Sequence, residues 1–290
     1  MYGGSTSIER QSEDIMTYRE ALSLGEKILS MAGIAEVKTD AWLLFERAAK
    51  LDRNFYYLHM EDEIPSEQLK EYEALLKKRS ERIPVQYIIG ETEFMGLNFK
   101  VNSNVLIPRP DTETLVEEAL KLTKPGMKVL DMCTGSGCII ISIVHYGKDI
   151  KGYAADISKP AINVAKENAK NNHVSINFET GDLFDHIKEK YDMIVSNPPY
   201  IRTEEILTLM PEVQQFEPVQ ALDGMEDGLY FYRRIVEDAG EYLNEGGYLL
   251  FEIGHDQGED VSALMTEAGF KNVRVIKDLA GNDRVVSGGL

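Results

Sequence analysis

The pattern of apolar and polar positions changes twice along the chain. Residues 1–15 are polar and show no period, so they read as a flexible extension. From Thr17 the apolar positions recur at helical spacing. Ala21, Leu24, Ile28 and Met31 are expected to share one face, with Gly33 at the stop. A second helix is expected after Asp40, read as its cap, with Ala41, Leu44 and Leu51 as apolar positions. Asn54–Met60 is a short aromatic-rich piece. Pro65-Ser66 then opens a charged helix to about Arg82, with Leu69, Tyr72, Leu75 and Leu76 on its apolar side. Residues 16–84 therefore predict a small helical bundle.

Residues 85–105 differ. Aromatic and β-branched residues flank Gly90 and Met95-Gly96, which predicts a β-hairpin linker. Ile107-Pro-Arg-Pro-Asp-Thr-Glu113 follows, then a helix to about Leu122. Beyond Pro125-Gly126 the chain alternates strand and helix. Strands are predicted at Lys128–Asp131, Gly152–Asp156, Ile176–Thr180, Asp192–Ser196, Tyr248–Ile253, Asn272–Ile276 and Val285–Ser287. Helices are predicted at Lys159–Asn171, Gly228–Leu243 and Glu259–Ala268. Such alternation gives an α/β fold, a mainly parallel sheet covered on both faces. Ligands of these sheets bind beyond the carboxyl ends of the strands. Residues 106–290 should therefore hold the chemistry.

Composition narrows the classes. Hydrophobic residues make up 43% and charged residues 28% of the 290, ordinary for a soluble globular protein. No apolar run approaches the ~20 residues that span a bilayer, and the start lacks a secretory pattern, so the expectation is cytoplasmic. Cys133 and Cys138 do not form a redox or metal motif, and no metal is expected. The net charge is −18, of which residues 89–290 carry −14, with 19 Lys/Arg against 33 Asp/Glu. An acidic catalytic half is poorly suited to neutralising nucleic-acid phosphates.

Three motifs carry candidate chemistry. The first is Val129-Leu-Asp-Met-Cys-Thr-Gly-Ser-Gly137, a strand entering a loop of small residues before the apolar helix Cys138-Ile-Ile-Ile-Ser. Its glycines permit close backbone approach to a ligand, and the helix start adds free N–H groups. The second is acidic. Asp156 ends the next strand, where a carboxylate commonly takes the hydroxyls of a ribose. Asp182 ends the third, where it could accept an adenine amine, with Leu183 or Phe184 against the ring. The third motif, Asn197-Pro-Pro-Tyr200, follows the apolar strand Met193-Ile-Val-Ser196. Two prolines cannot continue a central strand, so they form a stiff loop at its end. A planar amide nitrogen is a poor nucleophile. It needs a site that accepts both N–H hydrogens and turns the lone pair toward an electrophile. The Asn197 side-chain oxygen and the Pro198 carbonyl can accept them, with Tyr200 against the planar group. The expected electrophile is the sulfonium methyl of S-adenosylmethionine, leaving S-adenosylhomocysteine. No strong base is required; orientation and electrostatics suffice.

At these residues the chain resembles the protein-(glutamine-N5) methyltransferase family. The resemblance runs from about Thr17 to Ser287. It includes Thr39-Asp-Ala-Trp-Leu-Leu, Pro84-Val-Gln-Tyr-Ile-Ile-Gly-Glu-Thr-Glu-Phe94 and the Pro-Arg-Pro segment. It continues through Asn197-Pro-Pro-Tyr-Ile201, Ala221-Leu-Asp-Gly224, Glu226-Asp-Gly-Leu229 and Glu252-Ile-Gly-His-Asp-Gln257. It implies a seven-stranded, Rossmann-like class I methyltransferase domain behind a helical substrate-recognition domain. The implied substrate is the glutamine of the Gly-Gly-Gln motif in peptide-chain release factors, with the enzyme acting as a monomer. Cys133, Thr134, Gly135, Ser136, Gly137 and Asp156 fall where the family holds the cofactor, joined by Asp182, Leu183 and Asn197. Asn197, Pro198, Pro199 and Tyr200 fall at the glutamine site. Cys133 stands where glycine is usual and Leu183 where an aromatic residue is frequent. Two rivals are an adenine N6-methyltransferase of DNA or RNA, which uses the same tetrapeptide, and a non-catalytic cofactor-binding protein. The basic run Lys77–Arg82 reads as a solvated helix face rather than a nucleic-acid patch.

Overall fold

The computed structural model describes residues 16–290; the extension read at residues 1–15 lies outside them. The chain forms two compact units that divide between Ile89 and Gly90.

The smaller unit holds five helices: α1 (Tyr18–Met31), α2 (Val37–Ala49), α3 (Arg53–His59), α4 (Ser66–Ser80) and α5 (Val85–Ile89). Thr17 and Glu20 cap α1 reciprocally, each taking the other's backbone N–H. The buried face of α1 is Tyr18, Ala21, Gly25 and Leu29, not the expected row through Leu24 and Met31. Small residues at 21 and 25 let Tyr72 of α4 lie directly over the helix, which turns Met31 out to 89% exposure. Leu44, Phe45, Trp42, Tyr56 and Leu76 complete the core, with the Phe45 and Tyr72 rings edge to face at 5.2 Å.

Two expectations fail here. Asp40 does not cap α2. It lies inside the helix and pairs with Arg79 of α4, Nε to Oδ2 at 2.7 Å, with both side chains 7% exposed. The basic run is therefore not wholly solvated: Lys77 and Lys78 face water, while Arg79 belongs to the core. Residues 85–89 form helix α5 rather than the first arm of the hairpin. Pro84 starts it by accepting from the Tyr87 and Ile88 N–H groups.

The larger unit opens with the hairpin itself, β1 (Glu91–Phe94) against β2 (Leu97–Lys100), turned at Met95-Gly96. Phe94 and Phe99 sink into this unit's core, so the hairpin packs on it. Then come α6 (Glu113–Leu122), β3 (Lys128–Met132), α7 (Cys138–Tyr146), β4 (Lys151–Asp156), α8 (Lys159–Asn171), β5 (Ile176–Thr180) and β6 (Tyr191–Ser196). The chain finishes with α9 (Pro211–Phe216), α10 (Tyr230–Tyr242), β7 (Leu243–Glu252), α11 (Gly258–Glu267), β8 (Lys271–Lys277) and β9 (Asp283–Gly289).

The seven strands from β3 onward lie in the order β5-β4-β3-β6-β7-β9-β8. The first five are parallel, and β9 runs antiparallel between β7 and β8. Alternate residues of the central strands feed two cores. Leu130, Ile194 and Leu249 meet Tyr232, Ile235 and Val261 from α10 and α11. Val129, Val195 and Leu250 meet Leu115, Val116, Ile140 and Ile143 from α6 and α7. This is the α/β architecture of class I methyltransferases. The chain order reverses at β3, whose neighbours are β4 on one side and β6 on the other. That switch point opens a crevice at the carboxyl edge, where ligands of such sheets sit.

Candidate active site

A cavity lies at that edge. Its walls come from the loop after β3, the ends of β4, β5 and β6, the segment 104–112 and the segment 218–221. Of the residues singled out in the sequence, Cys133, Thr134, Gly135, Ser136, Asp156, Asp182, Leu183, Asn197 and Pro199 line it together. Gly137, Pro198 and Tyr200 do not reach the wall.

The loop after β3 is shaped by its small residues. Gly135 has φ +54, and a Cβ there would meet nothing within 4 Å, so its backbone faces open space. Gly137, φ +82, serves packing instead. A Cβ would stand 2.9 Å from Ile141 Cδ1 and 3.1 Å from Ala165 Cβ, so only glycine lets α7 start there. Cys133 holds φ +61 without being glycine, a strained conformation. Below the loop, Thr134 Oγ1 donates to Asp131 Oδ2 at 2.6 Å, while Asp131 Oδ1 has no partner. Burial pushes the Asp131 carboxyl up to about 7, against the Thr134 bond. Burial likewise lifts the Cys133 thiol, and the Cys138 thiol to about 12, so both stay protonated packing groups at neutral pH.

Asp156, at the end of β4, braces the loop. Its Oδ2 accepts from Gly135 N at 2.9 Å and its Oδ1 from Ser158 N at 2.8 Å. Burial raises its carboxyl above the usual range, with these two bonds pulling the other way. A carboxylate offers about four acceptor positions, so each oxygen retains one toward the cavity. Ile157 beside it is apolar yet 51% exposed and lines the same wall. Across the cavity Arg234 of α10 grips Asp182 with both terminal nitrogens, at 3.1 and 3.0 Å. Phe184 is not in the wall: it stacks on Tyr242 at 4.5 Å and 8°, inside the core.

Asn197 and Pro199 face the cavity from the end of β6, next to the loop after β3. Ser196 Oγ donates to Met132 O at 2.6 Å and ties the two strand ends together. Tyr200 points away, its hydroxyl donating to Glu252 Oε1 at 3.4 Å. Burial and then the Glu252 charge raise that phenol well above its ordinary value. Glu252, 2% exposed, is itself pushed up to about 7 by burial, opposed by the Thr112 hydroxyl and Arg284.

Sequence reading misses Ile157 and three contributors from other parts of the chain. Arg109 of the Pro-Arg-Pro segment donates to Glu217, which also accepts from Ile107 N, so the segments over the cavity are tied by an ion pair. Arg234 and Phe231 come from α10. None carries a local signal; the ionic partners of Arg109 and Arg234 lie 108 and 52 residues away. Ile157 could have been found: an apolar residue directly after a strand-end acid is out of place unless something covers it.

The cavity can take a ligand with a hydroxylated ring at Asp156 and a flat base between Ile157 and Leu183. An amide can approach it at Asn197. The residues present thus fit an adenosyl sulfonium cofactor. Gly135 leaves the room, and Asp156 leaves acceptors.

Comparisons with known proteins address the chain as a whole. The chain matches the PrmC N-terminal domain over residues 20–90 and the Methyltransferase small domain over residues 110–213. It is 42% identical over 278 residues to a release factor glutamine methyltransferase of Clostridium botulinum, covering 93% of this chain and 98% of that one. It is 39% identical to one of Geobacter sulfurreducens, covering 96% and 98%. A crystal structure of a methyltransferase from Pyrococcus furiosus shares the fold at 17% identity. Its TM-score is 0.53, and the match covers 73% of this chain and 98% of that one. With both units matched and two residues in five shared over nearly the full length, the chain belongs to the release factor glutamine methyltransferase family.

Proposed function

We propose that this chain transfers the methyl group of S-adenosylmethionine to the side-chain amide nitrogen, N5, of the glutamine in the Gly-Gly-Gln motif of peptide-chain release factors. The observation that carries the reading is the presence of Asn197 and Pro199 in the same cavity wall as Gly135 and Asp156. Amide acceptor and cofactor loop thus share one space. The proteins at 42% and 39% identity carry the release factor in their names.

When bound, the cofactor supplies an electrophilic sulfonium methyl. Asp156 would hold the ribose hydroxyls with the acceptor positions left by Gly135 and Ser158. Ile157 and Leu183 cover the base, and Asp182, steadied by Arg234, accepts its amine. The Asn197 side-chain oxygen would accept one amide hydrogen of glutamine, and the Pro198 carbonyl, outside the cavity wall, would accept the other where the protein substrate approaches. That contact grows as the nitrogen becomes positive. Pre-set acceptors of this kind stabilise developing charge without reorganising. The helical unit serves to recognise the protein substrate, and the acidity of residues 89–290 favours a protein over a nucleic-acid substrate. Among the described residues no helix is long and apolar enough to cross a membrane, which is compatible with work in the cytoplasm.

The test incubates the purified enzyme with release factor and isotopically labelled cofactor, then maps the label by mass spectrometry. Label on the glutamine of Gly-Gly-Gln supports the reading. Label on another residue, or on tRNA or DNA supplied in parallel, refutes it.

A further inference from the structure

The segments Ala221–Gly224, Glu226–Leu229 and Glu252–Gln257 stand out in the sequence, yet only Ala221 among them lines the cavity. They meet instead behind Tyr200. Their arrangement answers a problem set by the tetrapeptide itself. Pro198 and Pro199 have no N–H, so the loop cannot anchor itself by donating hydrogen bonds at those positions. It must be held by its carbonyls and by the residues from Ile201 onward.

Those residues form a short ladder. Ile201 N donates to Leu222 O at 3.0 Å, Gly224 N to Ile201 O at 2.8 Å, and Thr203 N to Met225 O at 3.0 Å. The Tyr200 carbonyl is held separately. Gln257, 3% exposed, donates from Nε2 to Tyr200 O at 3.1 Å and to Gly228 O at 3.2 Å. Its Oε1 accepts from Gly254 N at 2.9 Å, while the Tyr232 hydroxyl, which donates to Glu252 O at 2.9 Å, stands 3.5 Å away. Both amide hydrogens and the oxygen are engaged, so the side chain cannot turn without leaving buried groups unpaired. The fit is close on every side. A Cβ on Gly228, φ +75, would stand 2.4 Å from Tyr200 O and 2.7 Å from Gln257 Nε2. One on Gly224 would stand 2.7 Å from Tyr200 Cα.

We propose that Gln257 is the positioning residue of the Asn197–Tyr200 loop, its side-chain amide fixing the Tyr200 carbonyl and thereby the aim of Asn197. The proposal rests on the reading of Asn197–Tyr200 as the methyl-acceptor site. Gln257 touches neither substrate nor cofactor; it acts through the loop. Displacement of a reacting group by about 1 Å costs on the order of 100-fold in rate.

The variant Gln257→Glu keeps the shape but turns a carboxylate toward two carbonyl oxygens. Amide hydrogen exchange of peptides across residues 198–203 should speed up about tenfold, as expected from loss of one anchoring bond. Peptides in β3 and β4 should keep their protection. With release factor as substrate, kcat should fall about 10- to 100-fold, while S-adenosylhomocysteine affinity by calorimetry stays within a few-fold. The deficit should shrink toward pH 6, where the protonated acid regains one donor. Unchanged exchange at 198–203 would overturn the proposal. So would faster exchange throughout the unit, or a rate loss matched by lost cofactor affinity. If the wild-type enzyme fails to methylate release factor, the proposed function fails, while the exchange comparison still decides the role of Gln257.

Discussion

Asp156 braces the loop after β3 and, in the proposed function, also holds the cofactor; replacing it with alanine separates the two. The carboxylate accepts one backbone N–H on each oxygen, from Gly135 and Ser158. Alanine frees both donors. The cavity beside them admits water, so each loss costs the fold only a net ~0.5–1.5 kcal/mol rather than the larger penalty of a buried orphan. The variant should therefore fold, with a melting temperature a few degrees lower. Cofactor binding suffers more, because the acceptors for the ribose hydroxyls disappear. A hydrogen bond to a charged group contributes ~1.5–3 kcal/mol, so affinity should fall about 10- to 150-fold. Asp156→Asn keeps the size and one oxygen and should fall between parent and alanine. Calorimetric titration of S-adenosylhomocysteine into each variant reads this directly, with circular dichroism reporting the fold. A folded Asp156→Ala that binds as tightly as the parent would show that the carboxylate only braces the loop, and the assignment of the ribose site would be wrong.

Three further outcomes are expected. Asn197→Ala should lose on the order of 10²–10³ in kcat at nearly unchanged S-adenosylhomocysteine affinity; near-normal turnover in a steady-state methylation assay would remove it from the mechanism. Arg79→Ala leaves the Asp40 carboxylate buried, and chemical denaturation should show a loss of ~3–5 kcal/mol. Lys77→Glu and Lys78→Glu should leave stability almost unchanged and instead raise KM for whole release factor, though not for a short Gly-Gly-Gln peptide. A fourth concerns Glu252, which titrates at about 7 in the fold against 4.5 for an ordinary glutamate. The folded state therefore binds the proton more tightly, so its contribution to stability is full below about pH 4.5 and is lost as pH rises through about 7. Glu252→Gln removes that dependence, and it should gain up to ~3 kcal/mol relative to the parent between pH 4.5 and 7. Denaturation curves at pH 5 and pH 8 check the sign; parallel profiles for the two proteins would refute it.

Much of the larger unit can be read from sequence because its signals are local. In α8, Ser158 accepts from Ala161 N and Pro160 occupies the first turn, so the start of the helix is written in a few adjacent residues. The central strands are continuous apolar runs closed by a small or acidic residue, which is how a strand buried on both faces must look. Failures share the opposite character. Asp40 has a cap's chemistry, but its partner is Arg79, 39 residues on, and helix packing alone brings them together. Residues 85–89 have β-forming side chains, yet Pro84 offers a carbonyl that starts a helical turn, and proximity wins. At the cavity Gly135, Asp156 and Asn197 are legible because each lies at or just beyond the end of a strand. Arg234, Glu217 and Gln257 are not, because their roles are set by residues far along the chain. The Tyr200 hydroxyl reaches Glu252, a partner 52 residues away that no local pattern announces.

The pairing of β3 with β6 fixes a length as well as an architecture. Met132 stands opposite Ser196, and under the proposed function the residue after each belongs to a different half of the reaction, Cys133 to the donor side and Asn197 to the acceptor side. A strand advances ~3.3 Å per residue. Slipping β6 by one position would move the acceptor by about the whole distance across which a methyl group is handed over. It would also turn Met193 and Val195 out of one core and Ile194 out of the other, so the slipped state is strongly disfavoured. The tolerance of the chemistry is thus inherited from the indivisible step of a β-ladder, which works as a ruler with only one usable mark.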